Sequence, residues 1–459
     1  MNILKMTDSY KVTHKNAYHK NIETIYSYLE SRGGVFEKTV FFGLQYYLDK
    51  FLKGVQVTKE KIDEAEKFWE AHFGRKDCFN REGWEHILNN HGGVLPIKIK
   101  AVKEGTLVPV SNVLMTIENT DPKCFWLTNY VETLLMKVWY PITVATQSYY
   151  IKQNILKALE KSGNPELVSF KAHDFGYRGV ACEEMARIGA AAHLLSFMGT
   201  DTVAGIDFLQ ENYGAGMCGF SIPATEHSIM CSFGRENEIE ACENFLDAYP
   251  DGLIACVSDT YDIYNACANI WGGVLKEKVL ARNGTLVIRP DSGDYFEVIP
   301  KVLEILWDKF GGTVNAKGYK VINDKVRVIQ GDGMNFNSII ELYNHIISLG
   351  WSADNLAVGS GGGLLQQVNR DTCKFAIKAS AAVKNGKWIE IYKEPITDPG
   401  KKSKTGTLRL LKDTLGQYYT DKIDFVKWRF NYEDEMDTVF EDGRVLRTQT
   451  LDEIKAILN

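Results

Sequence analysis

From about residue 166 the chain alternates short apolar runs with longer amphipathic ones. The short runs are "LVSFKAHDFG", "CGFSIPATEH", "LIACVSDT", "TLVIRPDSG", "VRVIQGDG", "NLAVGSGGG" and "KFAIKAS", and between most of them lie helix-like stretches such as "CEEMARIGAAAHLLSF" and "NSIIELYNHIISLG". Strand then helix, repeated, predicts parallel strands joined by right-handed crossovers. The flanks have another rhythm. Residues 95–117, 375–393 and 405–420 alternate apolar and polar positions as antiparallel strands do, with "KNGK" as a hairpin turn. Residues 123–161 are helical in pattern. The expected fold class is α/β: an irregular (β/α) barrel of about seven parallel strands beside an antiparallel β-rich domain built from N- and C-terminal segments. The expected boundaries are 1–122 with 380–459 for the β-rich domain, 123–165 for connecting helices and 166–379 for the barrel.

The strand ends carry the chemistry. Nearly every predicted barrel strand finishes in polar or glycine residues: His173 to Gly176, Glu226-His227, Ser258-Asp259, Arg289-Pro290-Asp291, Gly331-Asp332-Gly333 and Gly359 to Gly363. Carboxyl ends of parallel strands are where such folds build active sites. Gathering His, Asp, Arg and Gly at one end of each repeat predicts an enzyme.

Composition narrows the partners. The 459 residues are 45% hydrophobic and 24% charged, with a formal net charge of −6. That acidity argues against a nucleic-acid-coating protein, while leaving room for a local basic pocket. The N-terminus "MNILKMTDSYKVTHK" has no apolar signal core. No apolar stretch approaches the roughly 20 residues that span a bilayer. The nine cysteines form no CxxC and no Cys/His cluster at zinc spacing. They read as buried, reduced thiols, and a cytoplasmic protein is expected.

Several residues are candidates on their own chemistry. "QGDG" and "GSGGG" would present backbone N–H groups at strand-to-helix junctions, where the first turn of the next helix adds free donors for a phosphate. A plain tight turn is the alternative for either run. Neither is a Walker A loop or a good dinucleotide fingerprint. Arg289 and Asp291, two apart at one strand end, can both face a pocket; Arg offers a fork for an anion, Asp a ligand for ribose hydroxyls or a metal. Asp259 suits a second carboxylate over the same magnesium or, alternatively, a helix N-cap. His227 is the imidazole at a strand end among these groups, against the commoner structural role. Phe175 with Arg178 suits a stacking platform beside an anion contact, or a core plug. Arg370, Lys378, Lys393 and the "KKSK" at 401–404 suit a polyphosphate, or a solvated surface.

The blocks "TDSYKVTH" (7–14), "TVFFGLQYYL" (39–48), "WYPITVATQS" (139–148), "HDFGYRGV" (173–180), "GTDTVAG" (199–205), "VSDTYDIYNAC" (257–267), "IRPDSG" (288–293), "VIQGDG" (328–333) and "GSGGGLLQ" (359–366) resemble those of the nicotinamide phosphoribosyltransferases, type II phosphoribosyltransferases, nearly end to end. The resemblance implies transfer of phosphoribose from phosphoribosyl pyrophosphate to nicotinamide, giving nicotinamide mononucleotide and pyrophosphate in NAD salvage. It implies magnesium at Asp259 and Asp291, and a homodimer with active sites shared between protomers. It further implies that Phe175 and a partner protomer's Tyr10 sandwich the ring, with Asp201 and Arg178 fixing the amide. A carboxylate accepts from an amide NH₂ and repels a carboxylate, which favours nicotinamide over nicotinate. Gly331, Asp332, Gly361, Gly362 and Ser221 are implied for phosphate and ribose, with Arg289 and Asp291 by the ribose. Arg32, Arg370, Lys378, Lys393 and Lys401 are implied for diphosphate and ATP, and His227 as a histidine phosphorylated by ATP.

Three departures stand out. The stretch after Arg32 is shortened, Ala376 replaces a serine common in the family, and Phe220 stands where a tyrosine is common. Competing readings are a nicotinate phosphoribosyltransferase, a non-catalytic ligand-binding or signalling protein on the same scaffold, and a phosphosugar aldolase using Lys171 or Lys378.

Overall fold

The computed structural model describes residues 1–397, 403–423 and 433–459. The chain divides into two compact units: Met1–Thr146 with Asn212–Gly214 and Asn369–Asn459, and Gln147–Glu211 with Ala215–Val368.

The first unit is built on a seven-stranded sheet. From edge to edge it runs Lys387–Glu390, Phe375–Lys384, Ile22–Ser31, Val113–Asn119, Ile97–Ala101, Asp437–Glu441 and Arg444–Val445. Every neighbouring pair is antiparallel. N- and C-terminal segments thus share one sheet. At the "KNGK" hairpin Asn385 and Gly386 have φ of 52° and 70°, the left-handed pair that matches strand twist in a two-residue turn. The predicted pair near 405–420 is Leu408–Lys412 against Tyr418–Lys422. The strand Ile22–Ser31 was not anticipated, because from Ile25 to Ser31 it is buried without interruption and so has no two-residue alternation to read.

The second unit is a parallel sheet in the order Gly199–Thr200, Ala172–Asp174, Leu356–Ser360, Val326–Gln330, Asn283–Arg289, Asp251–Val257. The segment 220–225 bonds to both edges. Phe220 N–H donates to Met198 O (2.8 Å) and Thr200 N–H to Phe220 O (3.0 Å), while Ala255 N–H donates to Pro223 O (2.9 Å) and Thr225 N–H to Ala255 O (3.0 Å). A seventh, irregular stave therefore closes the curled sheet. Alternation sorts the side chains: Ile254, Leu286, Val328 and Val358 are wholly buried on one face, while Ala255, Val287 and Ile329 cluster with Phe175, Ile222 and Ala357 on the other.

Two expectations are corrected. "KFAIKAS" is not a barrel strand; Phe375–Lys384 pairs with Ile22–Ser31 in the antiparallel sheet. Its place in the barrel count goes to Gly199–Thr200, a two-residue strand too short to register as an apolar run. The boundaries shift accordingly: residues 369–379 and the helices of 123–146 group with the first unit rather than with a barrel or a separate connector.

Candidate active site

At the carboxyl ends of the parallel strands a cavity of about 1140 Å³ opens. Phe175, Arg178, Asp201, His227, Arg289 and Asp291 line it, together with Gly331, Asp332, Gly361 and Gly362. Ten of the residues singled out in the sequence thus face one space.

One end presents a flat ring and a carboxylate. Phe175 follows the strand Ala172–Asp174, and its N–H donates to Ser360 O at 2.9 Å. Its ring occupies the place where a side chain at 359 would begin: a Cβ on Gly359 would fall 1.8 Å from Cε2. Gly359 is therefore required by the close approach of the ring. Beside it, Asp201 accepts from Ser221 Oγ and shares a 3.0 Å hydrogen bond with His173 Nε2. Burial acts to raise the Asp201 carboxyl, but the His173 and Ser221 bonds and the Arg289 charge outweigh it and hold it below the usual range. It stays ionised as an acceptor. Ser221, expected with phosphate and ribose, donates through Oγ to Asp201 in this structure. The strand-end position of His173, two before Phe175, marks it in the sequence, but its role on Asp201 follows only from the fold. Below them Asp174 is fully buried, accepting from Gly176 N–H (2.7 Å) and Thr200 Oγ1 (3.0 Å).

A second wall gathers carboxylates around an imidazole. Asp259 is nearly buried; its Oδ2 accepts from Asp291 N–H at 3.0 Å and from Ser292 Oγ. Its Oδ1 is buried with no hydrogen-bond partner. His227 Nε2 lies 3.6 Å from that Oδ1 and 3.7 Å from Asp291 Oδ2, with Nδ1 3.3 Å from Thr260 Oγ1. Asp259 is not an N-cap; the next helix is capped by Asp262, whose carboxylate accepts from Tyr264 and Asn265 N–H.

The two glycine loops end adjacent strands and lock together. Ser360 Oγ donates to Met334 O at 2.7 Å, and a Cβ on Gly363 would come 2.4 Å from that same oxygen. The helix after the first loop, Phe336–Ser348, does not offer the free donors expected of it. The Asn335 side chain accepts from Asn337 and Ser338 N–H, and Ser338 Oγ accepts from Asn335 N–H, a reciprocal cap.

The first unit holds its own cavity, of about 560 Å³. Arg32, Arg370, Lys378 and Lys393 line it, along with Lys374, which was not anticipated. Arg32 is held by Glu30 at 3.0 Å, and Lys404 Nζ binds the other Glu30 oxygen at 2.6 Å. Burial first, and then the charges of Lys393, Arg32 and Arg370 against that of Glu132, hold the Lys378 ammonium below its ordinary range. Ala376 also lines this cavity. Lys401 lies outside the described residues. Tyr10 belongs to this unit and is 60% exposed. Lys171 is not a free amine: it is buried and donates to Asp354 O and Leu356 O, both at 2.9 Å.

The architecture matches solved phosphoribosyltransferase-type folds. Nicotinate-nucleotide pyrophosphorylase from Pyrococcus furiosus superposes with a TM-score of 0.61 at 16% identity, covering 99% of this chain and 94% of that one. Human nicotinic acid phosphoribosyltransferase gives 0.55 at 14%, covering 98% and 92%. These place the protein in the type II phosphoribosyltransferase fold class. A model of the nicotinate phosphoribosyltransferase (NAPRTase) family matches residues 170–442, and one of the nicotinamide phosphoribosyltransferase N-terminal domain matches residues 2–99. A nicotinamide phosphoribosyltransferase of Xanthomonas campestris pv. campestris is 47% identical over 461 residues, covering 99% of this chain and 97% of that protein. One of Acinetobacter baylyi is 34% identical over 493 residues, covering 99% and 96%. The chain belongs to the nicotinate phosphoribosyltransferase family, on its nicotinamide phosphoribosyltransferase branch. Among the described residues no helix is long and apolar enough to cross a membrane.

Proposed function

We propose that this enzyme transfers the 5-phosphoribosyl group from phosphoribosyl pyrophosphate to nicotinamide, releasing nicotinamide mononucleotide and pyrophosphate for NAD salvage. The observation that carries the choice of base is Asp201. An ionised carboxylate, steadied by His173 and Ser221 beside the Phe175 ring, accepts from an amide NH₂ and repels a nicotinate carboxylate. In this reading the ring stacks on Phe175, which holds its nitrogen in line with the sugar carbon. The loops Gly331–Gly333 and Gly361–Gly362 take the 5-phosphate through backbone N–H groups. Arg289 and Asp291 lie against the ribose. As pyrophosphate departs, the sugar gains oxocarbenium character, and the carboxylate wall stabilises that charge.

The donor set suits magnesium: Asp259 Oδ1 is buried and unpartnered, with Asp291 and His227 Nε2 beside it. Asp259 and Asp291 would hold the ion, which supplies positive charge for the leaving pyrophosphate. His227 turns Nδ1 toward Thr260 and leaves Nε2 on the carboxylate side, the arrangement we assign to phosphoryl transfer from ATP. Tyr10 and the basic cavity of the first unit are contributed, in this reading, by a second copy in a homodimer; the exposed Tyr10 ring supports that role. Nine free thiols suit a reducing cytoplasm.

The test is an assay with nicotinamide, phosphoribosyl pyrophosphate and magnesium, with and without ATP. Absence of the mononucleotide in both overturns the reading. Asp201→Ser is expected to lower kcat/KM for nicotinamide by about 10–10²-fold, the cost of losing a charge-assisted hydrogen bond, and to affect nicotinate far less. Equal losses would refute the assignment of Asp201. His227→Ala is expected to reduce nicotinamide-stimulated ATP hydrolysis to background; an unchanged rate would remove His227 from the coupling.

A further inference from the structure

Away from the active site, the first unit brings together a set of side chains that no step above uses. His86 lies in the helix Arg81–Asn90, and His91 caps its C-terminal end. Asp121 precedes the short turn Pro122–Cys124. His86 Nε2 and His91 Nε2 both lie 2.7 Å from one oxygen, Asp121 Oδ2. Cys124 is a free, fully buried cysteine. One donor atom from each of the four residues lies within 4.8 Å of every other. The three polar side chains are only 15–24% exposed.

Two imidazole nitrogens converge on one carboxylate oxygen, so three metal-ligating atoms already face one another. The thiol beside them adds a third nitrogen-or-sulfur ligand atom. We propose that His86, His91, Asp121 and Cys124 form a four-ligand site for a zinc ion in this protein. The donor types are those zinc accepts, and tetrahedral ligation at about 2.0–2.3 Å puts ligand atoms about 3–4 Å from one another, so closing on an ion needs only small side-chain adjustments. Four protein ligands leave no open position, which marks a structural site. On binding, the Cys124 thiol gives its proton to solvent, and the imidazoles ligate as neutral rings.

The surroundings hold the ligands in place. Asp121 Oδ1 accepts from Lys123 N–H at 2.8 Å, which leaves Oδ2 directed at the histidines. Asn119 Nδ2 donates to Asp121 O at 2.8 Å. Behind them Trp84 of the histidine-bearing helix packs edge-on against Trp126 and Tyr130, with centroids 4.7 and 5.1 Å away. The ion would tie the end of that helix to the turn that follows the strand Val113–Asn119. The linear spacing hides the set, because the ligands come as a His pair and an Asp/Cys pair some thirty positions apart.

Full-length protein stripped with chelator, held in excess magnesium to occupy oxygen sites, would be titrated with Co²⁺. The expected result is saturation at one equivalent, with intense d–d bands of tetrahedral cobalt and a near-ultraviolet thiolate-to-cobalt band. Zn²⁺ should displace the cobalt. Cys124→Ala should remove the thiolate band while leaving the fold intact by circular dichroism. His86→Asn with His91→Asn should remove all the bands. Zinc retained after desalting should fall from about one per chain to background in that double variant. Octahedral or absent cobalt spectra in the wild type, or equal zinc retention in wild type and double variant, would overturn the site. The spectra need only wild-type protein, so a poorly folding variant does not block the test.

Discussion

Two clusters of histidine and aspartate, one in each unit, differ in ways that separate their work. Around His227 the nitrogen stands 3.6 and 3.7 Å from two carboxylates, the imidazole is 44% exposed, and a buried oxygen of Asp259 has no partner. Around His86 and His91 the contacts are 2.7 Å, the side chains are mostly covered, and a thiol closes the fourth side. The first is loose and unsatisfied, on a cavity wall. The second is tight and largely covered, between a helix end and a turn. An unmade bond on a cavity wall is open to a substrate or its ion, whereas donors converging between a helix end and a turn suit an ion that holds the fold together.

A crossed pair of substitutions tests this contrast most severely. Asp259→Asn is expected to lower kcat by about 10²–10³-fold with little change in the unfolding midpoint. Asp121→Asn is expected to leave kcat in place and lower the midpoint by several degrees, as loss of a mostly covered, doubly bonded carboxylate costs about 1–3 kcal/mol. Steady-state kinetics and thermal melts on both variants give the answer; a stability loss at Asp259 matching that at Asp121 would erase the distinction.

A milder effect concerns the basic cavity. Burial and its cationic neighbours hold Lys378 below its ordinary range. For a lysine with a lowered pKa, the charged form is lost earlier as pH rises. KM for phosphoribosyl pyrophosphate is therefore expected to climb on the alkaline side before an unperturbed lysine would titrate, and Lys378→Arg should flatten that climb. A climb of identical shape in the arginine variant would assign it elsewhere. The smallest change is at Ala376. Ala376→Ser adds a hydroxyl to the cavity wall, and one hydrogen bond of about 1 kcal/mol should lower that KM about fivefold; a rise would mean the hydroxyl is left unpaired.

The two units were unequally legible in the sequence. In the barrel, each strand places its functional residues directly after an apolar run, so local pattern and chemistry coincide; Arg289, Asp291, Gly331 and His227 were readable that way. The two-residue strand Gly199–Thr200 was not, and neither was the role of His173, which depends on a neighbour 28 positions away. In the antiparallel unit the cations come from separate strands and loops, and their meeting follows from register: Tyr28 opposes Lys378, and Ser31 opposes Phe375. Family resemblance located Arg32; periodicity did not. The His86–Cys124 cluster lay outside both routes, since neither its spacing nor any quoted block drew attention to it.

The contact between Gly359 and the Phe175 ring has a consequence for affinity. A ring seated where a Cβ would otherwise begin is wedged between strand ends before any ligand arrives. An ordinary surface phenylalanine surrenders rotational freedom when something stacks on it, at a cost of about 0.5–1.5 kcal/mol. Here that entropy is already spent in folding, so a flat heterocycle landing on the shelf keeps nearly all of its stacking energy as binding.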